Sequence, residues 1–385
     1  MTSPGFYASL WLAAALIGHG ALWVEAVNRL HGLGLPRKLV DALTGLCGLA
    51  VAGIPLYAAW RLGASDTLPA WLAGYAHASI GVLALVIAGR LALRGDPQRI
   101  TGGHATATIT TLDLTSDAGV VAGCHPTVRR IARLPGNQLL RVAVEERELL
   151  LARLPSGWDG MRIAHLTDLH MAGRLGVEYF RAIVDRTNAW RPDFVFITGD
   201  IVEHPPQLDW VGPVLGGLDP SVASYFILGN HDEKVDCAEL RTRLEAANIA
   251  DVGSEPAIVS ERFPGLAITG DERPWFATVP PALPDAPLHL RLAHTPDRFA
   301  AARRDGVDLM FAGHCHGGQV CFPVLGPLLC PSRHGVRYAA GTFRADGTVM
   351  HASRGTGSLF PLRYACPPEL GLFTLRSMNS SSSSA

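Results

Sequence analysis

Three long apolar stretches near the start of the sequence constrain its fold more than any other feature. They run over about Phe6–Leu30, Leu39–Trp60 and Ala70–Leu93, and each reaches the roughly 20 residues that a helix needs to cross a bilayer. A secretory signal peptide has a single short apolar core and a cleavage site, so it does not account for them. The alternative is a helical bundle buried in a soluble domain, and the nearly charge-free second and third stretches count against it. We therefore predict a membrane domain of three transmembrane helices in residues 1–97.

The first stretch carries two ionisable residues, His19 and Glu25. Ionisable groups inside a membrane are expected to face the interior of a helix bundle. Glu25 also lies near the end of its stretch, and the sequence assigns no role to either residue.

Basic residues in short loops indicate how such helices are oriented, because they are retained in the cytoplasm. The stretch before the first helix has none, and the loop between the second and third helices has one. This pattern predicts an outer N-terminus and a cytoplasmic location for everything after about residue 94, in a bacterial inner membrane. The basic residues concerned are Arg29, Arg37 and Lys38 in the first loop, Arg61 in the second, and Arg90, Arg94 and Arg99 around the end of the third helix.

Composition excludes some classes of function. The formal net charge is −1, which argues against a broad electrostatic surface for nucleic acid. The 7 cysteines form no CxxC pair, so neither a disulfide framework nor a structural zinc site is indicated. We interpret them as small buried residues in a reducing compartment.

The rest of the chain divides into three parts. Residues 98–157 contain "TATITTLDLT" and "LLRVAVEERELLL", whose partial alternation predicts a linker with edge strands. Residues 158–376 form the predicted catalytic domain. The final residues 377–385, "SMNSSSSSA", have no apolar face to bury, and we predict a disordered tail.

Five short apolar runs in the catalytic part each end in polar residues. They are "MRIAHLTDLH", "PDFVFITGD", "SYFILGNHD", "LHLRLAHTPD" and "VDLMFAGHCHGGQ". Such runs are typical of strands buried on both faces, with helices such as Glu178–Trp190 and Cys237–Asn248 between them. In α/β sheets the functional groups collect beyond the carboxyl ends of the strands. The polar residues at these ends are Asp168, His170, Asp200, Asn230, His231, Asp232, His294, His314 and His316.

Carboxylate, amide and imidazole groups without thiolate favour Mn²⁺, Fe or Zn²⁺ at a catalytic site over a structural zinc. Seven or more ligands are too many for one ion, whereas two ions about 3.5–4 Å apart that share a carboxylate would use them all. We predict that His314 and His316 both reach this centre, with Gly317 and Gly318 permitting the turn and Cys315 packed away from the metals.

These motifs, D-x-H, G-D, G-N-H-D, a lone histidine and G-H-x-H, in this order resemble the calcineurin-like metallophosphoesterase superfamily over roughly Met161–Ser358. The flanking "HGGQ", "SRGTGS" and "PPEL" resemble a membrane-associated bacterial subgroup that includes UDP-diacylglucosamine hydrolases. The resemblance implies an α/β fold, a two-layered β sandwich flanked by helices, preceded here by the three transmembrane helices. It also implies roles for the residues. Asp168, His170 and His316 would hold one metal, Asp200 would bridge, Asn230, His294 and His314 would hold the second, and His231 would be the general acid with Asp232 holding its ring.

The expected activity is hydrolysis of a phosphodiester or pyrophosphate bond by hydroxide generated at two divalent ions, Mn²⁺ first among them and Fe or Zn²⁺ as the other candidates. The membrane helices point to a lipid-linked or nucleotide-diphospho substrate. The alternatives are a metal-free scaffold of the same fold and a phosphomonoesterase. A purple-acid-type phosphatase is disfavoured because Glu203 stands where that family has a tyrosine, and a nuclease is disfavoured by charge and anchor. Three helices with few polar groups also make a poor transport pore.

Overall fold

The computed structural model describes residues 4–64, 67–100, 105–259, 261–278, 280–283, 285–323 and 326–378. It divides into two compact units. The first contains Met1–Asp96 together with Phe322–Arg337, and the second contains Pro97–Cys321 and Tyr338–Ala385. The first unit therefore includes a segment that comes shortly after the histidine motif at residues 314–316 in the sequence.

Three helices make up most of the first unit: α1 (Pro4–His31), α2 (Arg37–Ala64) and α3 (Ala70–Leu93). All three are long and apolar enough to cross a membrane, which confirms the prediction. His19 faces the interior and is 5% exposed. Its Nδ1 lies 2.6 Å from the Tyr75 hydroxyl, and its Nε2 lies 3.1 Å from the Val51 carbonyl oxygen. This ring therefore links α1 to both other helices, and its buried polar atoms are satisfied by these contacts.

The second unit is built from two mixed sheets with helices. Its helices are α4 (Ala118–Gly123), α5 (Pro126–Ile131), α6 (Val177–Ala189), α7 (Val211–Leu215), α8 (Cys237–Ala246) and α9 (Phe299–Arg304). The strands of the chain are β1 (Ala105–Asp113), β2 (Arg141–Leu151), β3 (Arg162–Leu166), β4 (Phe194–Thr198), β5 (Ala223–Ile227), β6 (Ile249–Asp251), β7 (Ala257–Ile258), β8 (Ala267–Asp271), β9 (His289–Ala293), β10 (Leu309–Ala312), β11 (Cys321–Phe322), β12 (Gly326–Pro327), β13 (Gly341–Ala345), β14 (Thr348–Ala352) and β15 (Glu369–Ser377).

One sheet has seven strands in the order β1-β2-β15-β3-β4-β5-β6, and the other has six in the order β13-β14-β10-β9-β8-β7. Side chains of both sheets, such as Phe196, Leu290 and Phe311, form one buried apolar cluster. The opposite face of the seven-stranded sheet packs against α6 and α8, and α9 packs on the other sheet. The expected α/β sandwich flanked by helices is confirmed.

The segment 98–157 contributes β1 and β2 at one edge of the seven-stranded sheet. β15 lies parallel to β2 and antiparallel to β3, so the last described strand closes the sheet between them. We predicted a disordered tail from residue 377 onward. In the structure Ser377 is the last residue of β15 and pairs with Leu151 of β2. The rest of that tail, beyond Met378, lies outside the described residues.

Candidate metal centre

Five loops that follow strands carry the potential metal ligands. Asp168 follows β3, Asp200 follows β4, Asn230 follows β5, His294 follows β9 and His314 follows β10. β3, β4 and β5 are parallel neighbours, and so are β9 and β10. Because the carboxyl ends of parallel strands meet at the same edge, these loops converge.

The first group of ligands contains Asp168, His170, Asp200 and His316, all of them buried and with ligand atoms within 4.8 Å of one another. Nε2 of His170 lies 2.8 Å from Nε2 of His316 and 3.6 Å from Oδ2 of Asp200. Nε2 of His316 lies 3.4 Å from Oδ1 of Asp168. Two carboxylates and two imidazoles therefore surround one point.

The second group contains Asp200, His294 and His314, again buried and within 4.8 Å of one another. Nε2 of His294 lies 3.3 Å from Oδ2 of Asp200, 3.2 Å from Nδ1 of His314 and 3.1 Å from Oδ1 of Asn230. Asp200 belongs to both groups, and its Oδ2 atom is the one that faces an imidazole nitrogen in each. The structure thus brings together all seven residues that the sequence nominated as ligands.

These distances fit two divalent cations. Nitrogen and oxygen ligands lie about 2.0–2.2 Å from ions such as Zn²⁺, so two ligands at 90–109° around one ion are about 2.8–3.6 Å apart. The contacts within both groups span that range, from 2.8 Å to 3.6 Å. The groups found among the described residues contain no cysteine, and a nitrogen and oxygen donor set is that of a catalytic site for Mn²⁺, Fe or Zn²⁺.

Hydrogen bonds orient two of the imidazoles for coordination. Nδ1 of His294 lies 2.7 Å from the Thr198 carbonyl oxygen, and Nδ1 of His170 lies 2.5 Å from Oε1 of Glu203. Since a carbonyl and a carboxylate can only accept, each Nδ1 carries the proton. Each Nε2 then presents a lone pair to the centre, the arrangement found around protein-bound metals.

The backbone at the ligands is in an unusual conformation. A left-handed conformation costs a non-glycine residue about 1–3 kcal/mol and persists where the surrounding fold imposes it, often at a functional site. Gly199, beside Asp200, has φ of 87°, and a Cβ there would lie 2.5 Å from the Gly229 nitrogen, so no other residue fits. The five ligands with positive φ are Asp168 (53°), His170 (47°), Asp200 (55°), His314 (71°) and His316 (50°).

Asp232 does not hold the ring of His231, in contrast to the role expected from the resemblance. Its two oxygens are buried and accept backbone N–H groups. Oδ2 accepts those of Asp200 and Gly229, at 2.9 and 2.8 Å. Oδ1 accepts those of Ile201 and Val202, at 2.8 and 3.0 Å. The carboxylate of Asp232 therefore fixes the backbone around Asp200.

Glu203 is the carboxylate that contacts His231. Its Oε1 lies 2.5 Å from Nδ1 of His231 and also 2.5 Å from Nδ1 of His170. Lys234 completes this cluster, since its ammonium group donates to Glu203 Oε2 and lies 2.5 Å from Nδ1 of His231. The side chain of His231 is 18% exposed, compared with 1% for His170 and 9% for His316. It is therefore the ring of this cluster that solvent reaches.

Burial and neighbouring charges set the protonation of these groups. Burial disfavours the charged form of His231, but the carboxylates of Asp200 and Glu203 outweigh it and raise the pKa of His231. Burial would raise the pKa of Glu203, but hydrogen bonds from His170 and His231 hold it well below its usual value. Burial and the charge of Asp200 raise the pKa of Asp232 to about 7. A charged Glu203 beside a protonated His231 is the state these shifts favour.

Three residues near the centre are not among the site residues that the sequence predicted. Trp275 covers the second group, with its ring centroid 5.4 Å from that of His294 and 4.9 Å from that of His314. Arg363 is fully buried and donates to the carbonyl oxygen of His316 at 3.0 Å. Glu203, the third, was used only to exclude a family, although its place three residues after Asp200 was a usable signal.

His165 and Cys315 are buried but do not belong to either group of potential ligands. His165 is buried within β3 and lies 2.8 Å from the Thr198 hydroxyl, and burial lowers its pKa to about 3. Cys315 is 1% exposed. Gly317 and Gly318 both have positive φ, 60° and 82°, as the predicted turn requires. All seven cysteines lie in the described parts of the chain, where no disulfide joins them, and four of them are buried.

Comparisons with known proteins agree with this geometry. Residues 161–318 match the model of the calcineurin-like phosphoesterase family. An uncharacterized metallophosphoesterase of Bacillus subtilis, YkuE, is 28% identical over 255 residues, covering 62% of this chain and 87% of that protein. The phosphodiesterase YaeI of Escherichia coli is 28% identical over 221 residues, covering 56% of this chain and 82% of that protein. A zebrafish (Danio rerio) transmembrane protein with a metallophosphoesterase domain is 24% identical over 410 residues, covering 94% of this chain and 87% of that protein.

Proposed function

We propose that this chain, whose residues 161–318 match the model of the calcineurin-like phosphoesterase family, is a membrane-anchored hydrolase of phosphodiester or pyrophosphate bonds that uses two divalent metal ions. The observation that carries the proposal is the shared carboxylate. Oδ2 of Asp200 lies 3.6 Å from Nε2 of His170 in one ligand group and 3.3 Å from Nε2 of His294 in the other. A single carboxylate between two sets of imidazoles is the arrangement that a two-metal site needs.

In this proposal the two ligand groups divide between two ions. Asp168, His170 and His316 hold the first, and Asn230, His294 and His314 hold the second, with Asp200 between them. Mn²⁺ is the leading candidate, followed by Fe and Zn²⁺. Divalent ions at these positions supply Lewis-acid activation of water and offset the negative charge of the phosphoryl group.

His231 is the proposed general acid. It follows a metal ligand in sequence, its side chain is 18% exposed while Glu203 is 3% exposed, and nearby carboxylates raise its pKa. Its protonated ring can therefore donate to the oxygen of the leaving group. Glu203 positions it, since its Oε1 accepts from Nδ1 of His231 and so leaves Nε2 to face the substrate. Lys234 in turn holds Glu203 by donating to its other oxygen, Oε2.

The proposed substrate is lipid-linked or a nucleotide-diphospho-lipid. The three helices that are long and apolar enough to cross a membrane support a lipid-linked substrate. The name phosphodiesterase of the similar E. coli protein supports a phosphodiester bond as the one cleaved. The proposed location is the bacterial inner membrane with the metal centre in the cytoplasm, on the basis of the basic residues in the loops.

A comparison of substrates on the full chain in nanodiscs tests the proposal. We expect hydrolysis of bis(p-nitrophenyl) phosphate and of a nucleotide-diphospho-lipid, loss of both after chelation, and recovery with Mn²⁺. Metal analysis should give two ions per chain. Hydrolysis of p-nitrophenyl phosphate alone would instead identify a phosphomonoesterase. No hydrolysis by a chain with two ions bound would refute the enzyme assignment.

A further inference from the structure

The first unit contains a cavity beside its helices. This cavity has a volume of about 520 Å³ and is lined by residues of α1, α3 and the segment Phe322–Arg337. A second cavity of about 300 Å³ adjoins it and shares Glu25, Val86 and Arg90 with it. Together they reach the size of sites that bind small molecules.

The segment Phe322–Arg337 is fixed to the helices by polar contacts. Asn28 donates from Nδ2 to the Leu328 carbonyl oxygen at 2.8 Å, and its Oδ1 accepts the Cys330 N–H at 2.9 Å. Arg90 donates from Nη1 to the Pro327 carbonyl oxygen at 2.8 Å. Both side chains are nearly buried, with Asn28 3% and Arg90 9% exposed. The wall that this segment provides is therefore preformed rather than assembled by a ligand.

The polar end of the cavity carries an excess of positive charge. Glu25 lies between two arginines, with Oε1 2.7 Å from Nη2 of Arg90 and Oε2 2.9 Å from Nη1 of Arg29. Two guanidinium groups and one carboxylate give this end of the cavity a net charge of one positive unit. The side chain of Arg90 is 8% exposed and that of Arg29 is 57% exposed, so Arg29 is the cation that an incoming anion can reach. His334 also lines this end.

The remaining walls are apolar and belong to helices that can cross a membrane. Leu22, Val82, Leu85 and Val86 line the larger cavity. Leu85 is 75% exposed, so the cavity opens on a helix surface that faces acyl chains in a bilayer. Any molecule that fills it must combine a hydrocarbon part with an anionic group.

We propose that this cavity binds an anionic phospholipid, with the headgroup phosphate at Arg29 and an acyl chain along α1 and α3. Basic pockets between transmembrane helices are known to suit such headgroups. The site does not depend on the proposed catalytic activity, because none of its residues is a metal ligand or a general acid.

Gly89 offers a way to fill the cavity without disturbing the helix. It lines the larger cavity, and a Cβ at this position would meet no atom within 4 Å. A Gly89→Leu variant therefore places a side chain in the space proposed for the acyl chain. Gly48 in α2 also has no atom within 4 Å of an added Cβ and does not line either cavity. Gly48→Leu is the matched control, since it adds the same side chain and the same gain in helix propensity.

The experiment uses the full chain in nanodiscs of phosphatidylcholine with phosphatidylglycerol that carries a diazirine in its acyl chain. After irradiation, mass spectrometry locates the modified peptides. We expect modification of the cavity-lining parts of α1 and α3 in the parent and in Gly48→Leu, and at least a tenfold decrease in Gly89→Leu. Equal modification in Gly89→Leu and the parent, or none in the cavity of the parent, would overturn the proposal.

A second variant tests the headgroup without any change in the packing of the helices. Arg29→Gln removes the exposed cation and leaves Glu25 paired with Arg90. We expect the preference of the cavity for the phosphatidylglycerol probe over a phosphatidylcholine probe to fall about fivefold. Lys38→Gln removes the same charge from the first turn of α2, in the same loop region as Arg29 and outside both cavities, and should leave that preference unchanged. An equal effect of both variants would indicate attraction to the membrane surface and contradict a specific site.

Discussion

Replacement of Asp232 by asparagine tests whether this residue builds the metal centre or takes part in the chemistry. Its carboxylate accepts four backbone N–H groups, two at each oxygen. In Asp232→Asn one oxygen becomes an amide NH₂, so two of these donors lose their acceptor and face another donor. A buried donor without a partner costs about 1–3 kcal/mol, and the variant should therefore lose about 2–6 kcal/mol of stability.

This loss should be visible as a lower melting temperature. About 1 kcal/mol corresponds to roughly 2–4 °C for domains of 150–250 residues, so we expect a decrease of at least about 4 °C. The two loops that the carboxylate fixes carry Asp200 and Asn230, and metal affinity should fall about 10–100-fold as for other groups that orient ligands. The measurements are thermal unfolding of the full chain in detergent and metal analysis. Both are made at pH 8, where the carboxyl group of Asp232, with its pKa of about 7, is charged.

Asp236→Asn is the matched control. Asp236 caps α8, and its Oδ1 accepts the N–H groups of Ala238 and Glu239 at 3.0 and 3.1 Å. Asparagine caps helices as well as aspartate does, so the melting temperature of this variant should stay within about 2 °C of the parent. If Asp232→Asn also melts within about 2 °C and keeps its metal but loses turnover, the structural role is wrong. The role beside His231 that the sequence suggested would then be favoured.

The remaining predictions concern the ligands, the proton donor and the topology. Asp200→Asn should lose at least one metal ion and nearly all activity, because a neutral amide bridges two cations poorly. Two bound ions and normal turnover in this variant would contradict the two-metal assignment. His231→Gln should keep its metals and lose about 10²–10⁴-fold on substrates with poor leaving groups but much less on nitrophenyl esters, and equal losses on both would point to another proton donor. Glu203→Gln should show the same dependence of rate on the leaving group, in weaker form. Its metal affinity should also fall, because Nδ1 of His170 loses its charged acceptor. Unchanged kinetics would show that Glu203 takes no part in the mechanism. A reporter fused after Met378 should behave as a cytoplasmic marker, and periplasmic activity would reverse the proposed topology.

The sequence by itself determined the features that depend on local pattern. Uninterrupted apolar stretches specified the three helices, because a backbone in lipid must satisfy its own hydrogen bonds within a helix. Short apolar runs that end in polar residues specified buried strands and nominated the ligands at their ends. Parallel strands bring such ends to one edge, which is why the seven nominated ligands lie together although Asp168 and His316 are far apart in the chain.

Only the tertiary structure decided which carboxylate contacts the ring of His231 and which one accepts backbone hydrogen bonds. Asp232 follows His231 directly, yet its side chain is directed to the backbone of residues 200–202 and 229, and Glu203 from another loop contacts the ring instead. The side chains of two neighbours in sequence can point to different sides of a loop. The potential ligands also have left-handed φ values, and long-range packing imposes these values, so no local sequence pattern predicts them. The same reason applies to the segment Phe322–Arg337. Its sequence does not predict that it packs with the first three helices. The contacts that hold it, from Asn28 and Arg90, join residues more than two hundred positions apart in the chain.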